Sequence, residues 1–189
     1  MDTYLDMDLY VKEVAAAELG VRKGFTQLLN YCETKWPHDV WRTMRGLEVQ
    51  RDADSLRSQI EQILSVEPPS RAIKAFWFGL FNPILPNGVG SCGIYISGSV
   101  TFDPEDETGD WACQTNDSYL PRPNKYLDST VLHEIYALIQ LTGASPDGEY
   151  VLCLGYAALA LKEITRDWVL PVAVGFDSGD FILLKAGNS

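Results

Sequence analysis

From Ala75 to Pro121 the chain contains no lysine, arginine or histidine, while the same stretch carries six carboxylates. No other part of the sequence is so one-sided. Residues 1–74 hold ten basic and twelve acidic residues, and residues 122–189 hold five and eight. The whole chain has a formal net charge of −11. Such an excess of acid repels phosphate backbones and anionic lipid, so nucleic acid and membrane surfaces are excluded as expected partners. A basic protein is the natural counterpart.

Other absences narrow the reading further. No two of Cys32, Cys92, Cys113 and Cys153 form a C-x-x-C pair, and the only histidines are His38 and His133. Zinc sites draw their ligands from close pairs, so no metal is expected. The opening MDTYLDMDLYVKEV carries acids where a secretion signal would be basic, and the longest apolar run, Val151 to Leu161, is eleven residues. A membrane helix needs about 20. A cytoplasmic location with reduced cysteines is the expectation. Proline-rich linkers, low-complexity tracts and internal repeats are missing, so residues 1–189 are expected to form a single α+β domain.

What is present sorts by period. Leu9, Val14 and Ala17 lead into Val21, Phe25, Leu28, Leu29 and Cys32, then Pro37 interrupts, and Val40, Trp41, Met44 and Leu47 resume helical spacing. Asp52 or Asp54 is expected to cap a helix with Leu56, Ile60, Ile63 and Leu64 on one face, ended by Pro68 and Pro69. This makes 1–67 a helical N-terminal part and 71–189 a sheet-containing part. Phe76, Trp77, Phe78 and Phe81 crowd together as in a buried strand. A second strand is expected from Ile94 and Ile96 through Val100 and Phe102, with Asp103 to Gly109 turning into a returning partner at Asp110 to Cys113. Two helices follow. The first is capped by Asp128 or Ser129 and buries Val131, Leu132, Ile135, Leu138 and Ile139; the second, Glu149 to Arg166, is apolar nearly all round and so central. WVLPVAVG and DFILLK close the chain as a hairpin. The fold class is therefore α+β, with N-terminal helices, a mainly antiparallel sheet, two further helices and a C-terminal β-hairpin. Trp36, Trp41, Trp77 and Trp168 occupy apolar positions and are assigned to the core.

Catalytic motifs fail on context. Gly88, Gly90 and Gly93 spell G-x-G-x-x-G, yet a proline-rich loop precedes them and a strand follows, the reverse of a dinucleotide site. Ser91 in V-G-S-C-G lacks the first glycine of a nucleophile elbow. Cys92 with His133, oriented by Asp128 or Asp147, is the alternative of a cysteine hydrolase or amidase. Against it, His133 lies opposite the apolar stripe of its helix and is expected in solvent. A calcium loop starting at Asp103 would need glycine and glutamate where Thr108 and Gln114 stand. Ala137 breaks H-E-x-x-H, and one short turn is poor support for a glycosidase carboxylate pair. No catalytic residue, metal or cofactor is assigned.

The acidic cluster carries the functional expectation. Asp103, Glu105, Asp106, Glu107, Asp110 and Asp117, flanked by Trp111 and Tyr119, are read as a partner-binding surface. Charge there speeds encounter and enforces specificity, while the aromatics supply residence time. A solvated turn serving solubility alone, within a housekeeping interaction domain, is the plainer alternative.

Pro171 to Gly175 followed by Phe176, Asp177, Ser178, Gly179, Asp180 and Phe181 resembles the strand, acidic glycine turn and returning strand that end the cell-wall assembly regulator superfamily. The likeness spans about residues 168–185. That superfamily includes many bacterial toxin-immunity proteins. The resemblance implies an immunity-type inhibitor that neutralises a basic toxin or effector by covering it.

Overall fold

The computed structural model describes residues 3–86, 88–106, 108–113, 126–176 and 180–186. Four helices come first: α1 (Thr3–Ala16), α2 (Val21–Lys35), α3 (Val40–Met44) and α4 (Val49–Val66). Strands β1 (Ala75–Phe81), β2 (Gly93–Ser99) and β3 (Tyr126–Leu127) follow. Then come α5 (Thr130–Thr142), α6 (Asp147–Glu149), a π-helical turn Tyr150–Leu154, α7 (Gly155–Ile164), β4 (Val172–Phe176) and β5 (Phe181–Lys185). The fold is α+β.

The sheet order is β3-β2-β1-β4-β5. Its pairs are antiparallel except β1 with β4, where Phe78 lies opposite Val174 in parallel register. Alternation along the strands decides which face is core. Phe76, Phe78, Leu80, Ile94, Ile96, Val172 and Val174 face the helices in one continuous cluster. Phe78 is fully buried there, which stabilises the fold by about 2–3 kcal/mol. α7 is buried nearly all round, from Tyr156 to Leu161, so it forms the central helix that its composition implies.

The opposite face of the sheet holds a second, smaller cluster. Ala75, Trp77, Trp111 and Ala173 are buried in it, with Tyr95, Phe102, Phe181 and Leu183 packed around them. Small residues make this possible. A Cβ on Gly79 would fall 2.2 Å from the Tyr95 ring, so the ring lies directly over the strand.

Helix ends follow local chemistry. Ser129 caps α5 by accepting a hydrogen bond from the Leu132 amide at 3.2 Å, and Gly143 closes it at φ 68°. α4 stops ahead of Pro68 and Pro69, as expected.

Three expectations need correction. Asp52 does not cap α4, which begins at Val49; its carboxylate instead serves α5, as described below. In α1 the buried stripe is Met7, Val11 and Val14, while Leu9 is 56% exposed. The second strand ends at Ser99, and Asp110–Cys113 is a 3-10 helix in place of a returning strand. The reason lies in side chains: the Ser99 hydroxyl donates to the Trp111 carbonyl at 2.6 Å, and Asp106 accepts from the Trp111 amide at 3.3 Å. Both hold the backbone in a tight turn that no ladder could share.

Candidate functional site

The acidic turn is organised by its own carboxylates. Asp103 Oδ1 accepts from the Glu105 amide at 2.9 Å. Asp106 Oδ1 accepts from the Thr108 amide at 2.9 Å and from the Thr108 hydroxyl at 2.5 Å. These are Asx-type bonds, which order a short loop without regular structure. The Thr108 hydroxyl, followed by the Thr108 amide, holds the Asp106 carboxyl below its ordinary pKa. The charge is thus fixed in place and stays ionised at neutral pH.

Folding brings this turn against two elements distant in sequence. A groove of about 540 Å³ runs between the outer face of α1, the turn and the start of β5. α1 contributes Tyr4, Leu5, Asp8 and Lys12; the turn contributes Phe102, Asp103, Pro104, Asp106 and Trp111. Asp180, Phe181 and Leu183 complete it. The volume lies within the range of ordinary ligand sites, roughly 300–1,000 Å³.

Its electrostatics are lopsided. Among the described residues, four carboxylates (Asp8, Asp103, Asp106 and Asp180) line the groove with one ammonium, Lys12. Lys12 Nζ sits 2.8 Å from Asp8 Oδ2 in an i,i+4 pair on α1. That pair contributes about 0.3–0.5 kcal/mol and neutralises one carboxylate only. Among the described residues no lysine or arginine forms a salt bridge with Asp103, Glu105, Asp106, Asp110 or Asp180. Burial and then the bond to Asp180 raise the Tyr4 hydroxyl to about 12, so Tyr4 is a neutral donor at the rim.

The floor is aromatic. The Trp111 ring meets Trp77 edge-on at 6.2 Å and Phe102 at 5.1 Å, and Phe181 tilts against Trp77 at 6.0 Å. Trp111 was expected as an exposed contact residue. It is 3% exposed, because its indole closes the second cluster beneath the sheet. The exposed apolar surface at this site comes instead from Leu5, at 63%, with Leu9 one turn further along α1.

Asp103 and Asp106 line the groove, while Glu105 and Asp110 are exposed outside it. Glu107, Asp117 and Tyr119 lie outside the described residues. Sequence reasoning missed Tyr4, Leu5, Asp8, Asp180 and Phe181. Their signal was present: Leu5 and Leu9 are spaced i,i+4 off the buried stripe of α1, an apolar pair with no core to serve.

The glycine-loop residues form a different arrangement. His133 Nδ1 lies 2.8 Å from the Ser91 hydroxyl, and Cys92 is not its partner. His133 is half-buried, contrary to the expected exposure, because the loop carrying Ser91 folds onto α5. Ser91 is only 4% exposed. The Cys92 thiol is buried beside Cys153, whose own pKa is driven up first by burial. Among the described residues no hydrogen bond joins His133 to Asp128 or Asp147. Asn82 donates to the Ser91 carbonyl at 3.3 Å and to Glu149 Oε1 at 2.9 Å. These bonds tie the glycine loop to α5 and α6. A hydroxyl so enclosed cannot meet a substrate without the loop moving away.

Among the described residues no three His, Cys, Asp or Glu side chains converge as metal ligands, and no helix is long and apolar enough to cross a membrane. Set against family models, curated proteins and solved structures, the chain matches none of them.

Proposed function

We propose that the chain is a protein-binding inhibitor of the immunity type, acting in the bacterial cytoplasm on a basic toxin or effector. One observation carries the reading: among the described residues, the groove between α1, the acidic turn and β5 gathers four carboxylates over an aromatic floor with a single, already paired, lysine. Its layout matches what protein recognition requires. Uncompensated charge steers a basic partner inward, and the neighbouring apolar surface of Leu5 and Leu9 offers area to bury. The net charge of −11 acts in the same direction over longer range.

The likeness of the C-terminal hairpin to the cell-wall assembly regulator superfamily supports the immunity role, and Asp180 and Phe181 of that hairpin lie in the groove. The test is co-expression with a secreted basic domain encoded beside this gene. The wild-type chain is expected to protect the cell and to co-purify with that domain. Asp103→Lys combined with Asp110→Lys is expected to abolish both. Protection unchanged by the double reversal would refute the proposed surface.

A further inference from the structure

We propose that the groove is a receptor for one arginine side chain of the partner, selective for guanidinium over ammonium. This rests on the reading of the chain as a binder of basic protein, and it specifies the chemistry at the centre of that contact.

A guanidinium is planar, weakly hydrated and carries five N–H donors directed outward in its plane; an ammonium is compact and strongly hydrated. The groove presents acceptors on two separate walls, Asp103 on the turn and Asp180 ahead of β5, while Asp8 on α1 already accepts from the Tyr150 hydroxyl at 3.0 Å and from Lys12 at 2.8 Å and adds charge only. Asp103 spends Oδ1 on the Glu105 amide, which leaves Oδ2 for a guest. Asp180 already takes the Tyr4 hydroxyl, which orients its carboxylate at the rim. Asp106 contributes charge more than acceptor capacity, because the turn's own donors occupy both of its oxygens. Between these walls the surface is formed by the half-buried rings of Phe102 and Phe181, backed by Trp111, which is 3% exposed and meets Phe102 and Trp77 edge-on. A guanidinium stacks on such rings and bonds the surrounding carboxylates along its edges. An ammonium entering the same space would give up water that the rings cannot replace. Lys12, the groove's own cation, stays at the edge on Asp8 and does not satisfy the remaining carboxylates.

The experiment titrates the full-length, isotope-labelled chain with acetyl-arginine methylamide and, separately, acetyl-lysine methylamide at low ionic strength, followed by NMR. The arginine amide is expected to produce saturable shifts at the Phe102 and Phe181 rings, binding roughly five-fold more tightly than the lysine amide. Asp103→Asn and Asp180→Asn should each weaken it several-fold. Lys12→Gln should tighten it about two- to five-fold by removing a like charge, a gain that damage to the fold would not produce. Equal binding of the two amides, saturation elsewhere on the surface, no saturation into the tens of millimolar, or weaker binding by Lys12→Gln would each overturn the proposal. The broader reading fails separately. Loss of partner capture on charge reversal without arginine selectivity removes this pocket alone, whereas arginine selectivity with no basic protein partner removes the inhibitor role.

Discussion

Asp52 is 7% exposed, and its carboxylate accepts from the Ser129 hydroxyl and the Tyr156 hydroxyl, both at 2.6 Å, and from the Thr130 amide at 2.8 Å. It joins α4, α5 and α7 at one point. Burial, then the neighbouring carboxylate, raises the Tyr156 hydroxyl pKa, so the phenol stays a donor. Asp52→Ala would strand three donors, and a loss of about 2–4 kcal/mol is expected in urea denaturation, with Asp52→Asn losing less. A change within experimental error would show the network to be incidental. Glu149 behaves oppositely. Burial raises its carboxyl above the ordinary value of 4.5, against a smaller lowering by the Asn82 amide. The folded chain thus holds that proton more tightly than the unfolded chain, so stability is lost as pH rises through the folded pKa. Glu149→Gln is expected to raise the urea midpoint at about pH 7 and to leave it unchanged near about pH 3. The same rise at both pH values would contradict this sign.

The β4–β5 pair links the sheet to the groove, and Gly175 lies opposite Phe181 in its register. A Cβ there would meet the Asp180 carbonyl at 2.3 Å and the Trp77 ring at 2.7 Å. At Gly79 the three nearest atoms all belong to the Tyr95 side chain. A ring can swing, whereas a paired carbonyl cannot. Gly175→Ala is therefore expected to cost about 1–3 kcal/mol, more than Gly79→Ala, and to disturb the Phe181 resonances. Thermal denaturation of both variants checks the order, and the reverse order would refute it. Elements of this kind were legible from the sequence wherever period and punctuation agreed: the hairpin, the stop before Pro68 and Pro69, and the Ser129 cap. The Asp110–Cys113 segment was misread because Trp111 suggests a strand by propensity. Side-chain bonds from Ser99 and Asp106 overrode it.

At the scale of the molecule, the charge asymmetry that the sequence displays survives folding, although its location shifts. The turn alone was visible in residues 103–110, but the groove needs α1 and β5, separated by more than 160 residues. No local pattern reports such a meeting. Leu5 and Leu9 hinted at one wall, and Asp180 was noticed only as part of a turn. The Cys92–His133 pairing failed for a related reason: adjacent residues on an extended chain point opposite ways, so Ser91 takes the histidine and Cys92 enters the core. The proposed role requires negative potential held open between α1, the acidic turn and β5. Its most direct test is the affinity for the proposed basic partner, the secreted basic domain used in co-expression, across ionic strength, for wild type and for Asp103→Lys with Asp110→Lys. A steep fall in wild-type affinity with salt, absent in a reversed variant that binds weakly throughout, is the expected result. Affinity indifferent to both salt and charge reversal would contradict it.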